Sequence, residues 1–534
     1  MTTQANKFVK GAMILSIAGL IAKIFSALYR IPLANLVGTE GIGYYFTVYP
    51  LYSLLVSASL VGIPNALSKL ISERIAKDDY YNAHYIYKYS LIIIGIFGSI
   101  ISLFMILGVD LIIYMGDWPK ETKYVIYALA ISPVFISISG AFKGYFQGMQ
   151  EMVPTAMTQI IENISKVILG IGITYLLVKR GFSIPYAVGG AAVGISLGFL
   201  ISTIFIILYY IKKRKVIITH INTNSNQNHI KLKGVAKKLV VIAVPISIVS
   251  AAYSIMNLID SSTIYKRLAV ISIGKKEAAD MYGQMGNAIT IVNVPLTISL
   301  ALMISIVPAI SVAVANNNKV ELVNKIKLGI RFALLFALPA AIGLFILAQP
   351  LMKLLYPTSL GGYEYLELFS ICLLFIILGQ TLAGILQGMG KYYYPLISLL
   401  FSCIIKILIN YDLVASNLEL KGAIIGSICY YIIYVILNYL MIKKQVNIKL
   451  EVTKMIIKPL ISAMVMGLSV FAIYKVMYNL IQSNMIATFI SIICGILIYG
   501  IMLLLTKTLE EEDFAIIPKN KKIIVKLRKM KLIN

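Results

Sequence analysis

The chain has 534 residues, 59% hydrophobic and 13% charged, against the roughly 25% charged of a soluble globular domain. That composition excludes a soluble globular domain and accommodates a dozen or more membrane crossings at about 20 apolar residues each. The formal net charge of +26 raises nucleic acid as a partner, but the bases alternate with apolar runs and do not cluster as a groove-binding face requires, which argues against nucleic acid.

In chain order the apolar runs predict an all-α membrane protein of fourteen spans. These lie near 11–35, 44–72, 89–115, 124–148, 155–178, 185–211, 239–264, 285–315, 328–350, 365–389, 393–411, 422–442, 455–474 and 485–506. Lys7 and Lys10 resemble a signal's basic region, but the following run is long and lacks a small-residue cleavage site, so the first span is expected to stay as an anchor. Lys23 and Arg30 lie inside that span, two helical turns and about 10.5 Å apart on one face. A cation at membrane depth is tolerated where it faces a wet or paired interior, so the two mark a cavity that receives an anion. Lys69, near the end of the second span, is a third candidate.

Further along, Glu162 and Lys166 are four residues apart and predict a pair on one face of the fifth span. Arg74, Lys143 and Arg331 sit near span ends, where snorkelling to headgroups is the expectation. Asp260 in the seventh span and Lys406 in the eleventh are expected to pair across the second lobe, or Asp260 to hold a coupling cation. Cys372, Cys403, Cys429 and Cys494 all fall inside spans and read as small apolar fillers, not disulfides.

Residues 212–238 carry eight Lys and Arg and no acid. The positive-inside rule puts this connection, and with it both chain termini, in the cytoplasm. It separates a first six-span lobe (1–211) from a second (239–442), followed by spans 13 and 14 and a basic tail (443–534), which is expected on anionic headgroups. The lobes repeat: Gln147-Gly148-Met149 recurs as Gln387-Gly388-Met389, and Lys166 and Lys406 share that offset of 240. Pro154 and Pro395 correspond within one residue, and the proline pair Pro50/Pro64 recurs as Pro295/Pro308 in the eighth span. Six spans per lobe make the repeat parallel, the plan of an alternating-access transporter with bends at the prolines.

Two segments carry a family likeness. They are Arg30-Ile-Pro-Leu-Ala-Asn-Leu-Val-Gly38 through Tyr49-Pro50 to Gly62-Ile-Pro64-Asn-Ala-Leu-Ser-Lys69, and Ala141-Phe-Lys-Gly-Tyr-Phe-Gln-Gly148. Both resemble the stage V sporulation protein B branch of polysaccharide flippases, in the multidrug/oligosaccharidyl-lipid/polysaccharide exporter superfamily. The resemblance implies two lobes that rock to carry an undecaprenyl-pyrophosphate-linked sugar, lipid II first among them, across a bacterial cytoplasmic membrane. It also implies cations in spans 1, 2 and 8 around the cavity. Lys23, Arg30 and Lys69 match such positions, while Gln284 stands where an arginine is expected. Some relatives hold Na⁺ between acids of spans 7 and 11; Asp260 fits the first, whereas Lys406 is basic.

No Gly-rich phosphate loop ending in Gly-Lys-Ser/Thr and no His-Glu-x-x-His motif occurs, so no enzyme activity and no cofactor are expected. Coupling is left to the membrane potential, Na⁺ or H⁺. The alternatives are a flippase for another polysaccharide unit, a cation-coupled drug antiporter, and a scaffold that recruits cell-wall synthesis enzymes. The antiporter would want acids in its cavity, which Lys23 and Arg30 oppose.

Overall fold

The computed structural model describes residues 2–223, 232–358, 361–448 and 451–509. Among them there is no strand. In order the helices are α1 (Thr2–Ser57), α2 (Ile63–Ile75), α3 (Tyr80–Leu107), α4 (Val109–Gly116), α5 (Lys123–Ala130), α6 (Ser132–Gly148), α7 (Val153–Lys179), α8 (Ile184–Thr223) and α9 (Leu232–Ser250). There follow α10 (Ala252–Val270), α11 (Lys275–Ala315), α12 (Lys319–Ile346), α13 (Ala348–Leu355), α14 (Tyr363–Gly388), α15 (Tyr393–Leu413), α16 (Leu420–Gln445), α17 (Lys458–Ile481) and α18 (Asn484–Leu505). Among the described residues eleven helical stretches are long and apolar enough to cross a membrane.

One of the eleven, Ile17–Ser57, spans 41 residues, about 60 Å of helix against a hydrocarbon core of about 30 Å. It holds two expected spans. Gly38 separates them with φ 70° and ψ −177°, a backbone state open to glycine and costly for other residues. The second limb ends in a π-helical turn, Ala58–Gly62, and α2 resumes with Pro64 in its first turn. Proline has no N–H to donate, and the wider turn before it takes up the break. The bend expected in span 2 thus falls at Pro64, whereas α11 continues through Pro295 and Pro308 as one helix.

The connection at 212–238 differs from a plain linker. Helix α8 runs on to Thr223 and α9 begins at Leu232. No glycine or proline occurs between Phe199 and Thr223, so nothing local stops α8 where the apolar run ends.

By contact density the chain divides into two compact units, one of residues 1–287 with 407–423 and the other of 288–406 with 424–534. In the first, Leu67, Ile71, Ile86, Ile94 and Phe146 from α2, α3 and α6 form a buried core. Two small-residue stripes let helices approach closely, as packing in lipid favours. On α6, a Cβ at Gly140 would lie 2.5 Å from the Ser59 carbonyl oxygen, and one at Gly144 2.9 Å from that of Pro64. On α8, a Cβ at Gly194 would lie 2.2 Å from Gly170 Cα of α7, and one at Gly198 2.8 Å from Lys166 Cγ.

In the second unit, Ile326, Leu338, Ile385, Leu386 and Ile442 form the core. Helices α17 and α18 dock as a hairpin on α12: a Cβ on Gly467 would meet Ile342 at 2.6 Å, and Tyr499 donates to the Leu335 carbonyl at 2.9 Å. Arg331 departs from the snorkelling expectation. It is 6% exposed and donates Nη2 to the carbonyl of Thr508, just past the end of α18, where a cation suits the helix dipole.

The two units do not follow the predicted lobes, since their boundary falls within α11 and α15 and not at 212–238, but the helix ends at the two matching triplets are alike. Both Gln-Gly-Met triplets close their helices alike, with Gln150 N–H donating to the Gln147 carbonyl at 3.0 Å and Gly390 N–H to that of Gln387 at 2.9 Å. A Cβ on Gly148 would meet Ile71 at 2.7 Å, and one on Gly388 would meet Ile310 at 2.9 Å.

Candidate functional site

Arg30 and Tyr49 are nineteen residues apart, about 28 Å along an unbroken helix. The Gly38 break reverses that separation, and the guanidinium carbon lies 5.1 Å from the Phe46 ring centroid and 5.4 Å from that of Tyr49. Both ring faces orient a cation. The aromatic run continues as Tyr45–Tyr49 (5.2 Å between centroids) and Tyr49–Tyr52 (6.0 Å). Tyr29 anchors this limb by donating to the Ala191 carbonyl of α8 at 3.0 Å. Lys23 lies on the same helix, but its side chain is outside the described residues. Lys69 is exposed on α2.

The fifth-span pair forms as expected, with Lys166 Nζ 2.6 Å from Glu162 Oε1. A third member joins it. Lys143 of α6, expected to snorkel, instead points its ammonium at the other carboxylate oxygen, Glu162 Oε2, at 3.7 Å. Burial explains the difference: its side chain is 13% exposed, and α6 is packed on α2 through the glycine stripe. Lys166 also sits 4.1 Å over the Phe199 ring of α8, an approach that Gly198 permits. Arg74, too, turns from the headgroups to Asp79, 3.3 Å away.

Asp260 on α10 is 2% exposed and accepts from Asn410 Nδ2 at 2.9 Å, while Asn410 also donates to Thr263 at 3.1 Å. In the second unit Lys406 is fully buried and donates to Ser427 at 2.7 Å. Gln284 donates to Asp280, one turn earlier on α11, at 2.9 Å, and Thr39 donates to the same carboxylate. A Cβ on Gly43 would lie 1.8 Å from the Ala279 carbonyl oxygen, so the start of α11 lies backbone to backbone on α1.

Three groups escaped the sequence. Asn410 sits four residues after Lys406, one turn on, and that spacing could have flagged it. Lys143 and Tyr49 carry no local signal, because a different helix and a chain reversal bring them in.

Comparison with known proteins identifies the family. Residues 8–314, more than half of the chain, match the profile of the family described as polysaccharide biosynthesis protein, and residues 245–411 match that of MatE. The chain is 30% identical to the uncharacterized membrane protein YabM of Bacillus subtilis, over 78% of this chain and 76% of the relative. It is 24% identical to the lipid II flippase MurJ of the same organism, over 87% and 88%, and 25% identical to its stage V sporulation protein B, over 83% and 85%. Among solved structures, an inward-facing multidrug resistance MATE family transporter shares the fold, with a TM-score of 0.66 and 17% identity over 82% of this chain and 98% of that one. The named relatives with a stated activity are transporters and flippases, not enzymes. The chain is a multi-pass, all-α membrane protein that belongs to the polysaccharide biosynthesis protein family and has the fold of the MATE transporters.

Proposed function

We propose that this protein is a flippase that moves an undecaprenyl-pyrophosphate-linked sugar, lipid II foremost, from the inner to the outer face of a bacterial cytoplasmic membrane. The observation that carries the proposal is Arg30, a membrane-depth guanidinium set among the faces of Phe46 and Tyr49, in a chain of this family. Arginine matches phosphate with a planar fork of donors. The flanking rings suit an amphipathic sugar headgroup, and the polyprenyl tail can stay in lipid. Lys69, exposed on α2, serves as the first cation met from the cytoplasmic side, with residues 212–223 and the basic tail on that side. Lys23 lies one turn-pair before Arg30 and joins it. Asp260, held by Asn410, is the seat for coupling to Na⁺, H⁺ or the membrane potential. Gln284, neutral where relatives are expected to carry arginine, tunes which headgroup is accepted.

The test is translocation by the purified chain in vesicles, comparing lipid II with other undecaprenyl-linked sugars and with efflux of a cationic dye. Arg30→Gln is expected to cut translocation at least about tenfold, the loss of one charge-assisted contact. Dye efflux without sugar translocation would overturn the proposal in favour of an antiporter.

A further inference from the structure

Lys143, Glu162 and Lys166 place two ammonium groups on one carboxylate, at 3.7 and 2.6 Å. One lysine suffices to neutralise Glu162, so the cluster holds one surplus positive charge. Glu162, which both ammonium groups face, is nine residues into the 27-residue α7, about 14 Å from its nearer end, so the cluster lies inside the span. Charge there is costly unless something answers it. A cluster kept only to join α6 to α7 would do better with a single lysine.

The two lysines also keep an opening that the acid lacks. Their side chains are 13% and 19% exposed, against 8% for Glu162. The cluster is joined to the Arg30 site through α1. A Cβ on Gly170 of α7 would lie 2.6 Å from the ring of Tyr29, the residue before Arg30, and Arg30 is 5.4 Å from the Tyr49 centroid.

We propose that Lys143, Glu162 and Lys166 form a second anion-binding station in the first unit, where a pyrophosphate group takes Lys143 from Glu162. The ligand class rests on the flippase function proposed above. Glu162 holds the lysines in place when the station is empty and competes for them when it is full, which keeps the anion from being trapped. The weaker contact, Lys143 at 3.7 Å, is the one given up, while Lys166 stays fixed by Glu162 and the Phe199 ring.

The test titrates inorganic pyrophosphate into the purified full-length protein in detergent. Lys143→Gln leaves a balanced Glu–Lys pair, so the melting temperature of the empty protein is expected to hold or rise. Its pyrophosphate affinity is expected to fall about tenfold, one charge-assisted contact. Glu162→Gln removes the competitor and is expected to tighten binding by a similar factor. A lower melting temperature with unchanged affinity in Lys143→Gln would mean a purely structural cluster and overturn the station. The wild-type chain supplies a check that needs no variant: pyrophosphate should shield Lys143 from acetylation, scored on its peptide by mass spectrometry, and undiminished acetylation would also overturn it. Translocation measured in parallel separates the two proposals. Lys143-dependent pyrophosphate binding without sugar translocation keeps the station and removes the flippase; translocation without that binding does the reverse.

Discussion

Lys166 and Lys406 occupy the same place in the internal repeat, yet the two halves surround them differently. Lys166 has a carboxylate one turn back, Glu162, which it shares with Lys143. At the position equivalent to Glu162 the second half has Ser402, which spends its hydroxyl on the Ser398 carbonyl, and Lys406 turns to Ser427 of α16. The neighbouring helix differs as well: Gly198 and Phe199 of α8 correspond to Asn438 and Tyr439 of α16. Lys166 keeps 19% of its side chain accessible, while Lys406 has none. One backbone frame therefore serves two electrical purposes. The first half holds a partly accessible excess of positive charge, and the second holds a fully buried ammonium bonded to the neighbouring helix.

The largest effect is expected where that contrast is sharpest. Glu162→Gln leaves two partly buried lysines without their carboxylate and should cost the empty protein about 3 kcal/mol, as removal of one member of an ion cluster with a buried centre does. Ser402→Gln, the same end state at the equivalent position, removes no charge and should cost less in equilibrium unfolding from detergent. Equal costs would mean that the two lysines are held alike and the comparison fails.

Next comes the glycine that allows the first arrangement. A Cβ at residue 198 would lie 2.8 Å from Lys166 Cγ and 2.9 Å from the Glu162 carbonyl oxygen. The backbone oxygen cannot give way, so Gly198→Ala must push α8 off α7, at about 2 kcal/mol for overpacking. The equivalent residue, Asn438, already carries a side chain that donates to the Tyr434 carbonyl at 2.9 Å. Asn438→Ala should therefore lose a hydrogen bond without any displacement of helices. A crosslinking distance between α7 and α8 that is unchanged in Gly198→Ala would show that the glycine is dispensable for seating Lys166.

These residues also show what the sequence could and could not disclose. Hydropathy located the helices because a lipid-facing segment must be apolar and must satisfy its own backbone. The likeness of the two Gln-Gly-Met triplets was legible because each ends a helix, a local event repeated at 147–150 and 387–390. Glu162 with Lys166 was legible because a four-residue spacing fixes a shared face. Lys143 was not: nineteen residues and a turn separate it from Glu162, and only the docking of α6 beside α7 joins them. Arg331 was misread for the same reason, since its acceptor at Thr508 comes from a hairpin 177 residues away. Gly38 was visible as a glycine, but nothing nearby announced that the chain reverses there and brings Tyr49 to Arg30.

A smaller effect is expected at Ser427, the acceptor for Lys406. Ser427→Ala should cost about 1.5 kcal/mol, a hydrogen bond to a charged group, with translocation lowered less than by Arg30→Gln. Unchanged stability would show that other groups hold Lys406 and that the hydroxyl does not distinguish the two halves.

The smallest expected term is the ring beneath Lys166. The ammonium lies 4.1 Å from the Phe199 centroid, well inside the distance at which a ring face attracts a cation, and a desolvated example is worth about 1–2 kcal/mol. Phe199→Leu alone would mix that attraction with the lost packing of a ring that is 4% exposed. A double-mutant cycle with Lys166→Met separates them, because the packing loss is common to both backgrounds. The coupling is expected near 1 kcal/mol and should fall when Glu162→Gln frees the ammonium to move. At the equivalent position the residue is Tyr439, and a parallel cycle of Tyr439→Leu with Lys406→Met should give a smaller coupling, since Lys406 is directed to Ser427. A coupling in the second half as large as in the first would mean that the aromatic neighbour, not the carboxylate, is what the repeat has kept, and the division of roles between the two lysines would fall with it.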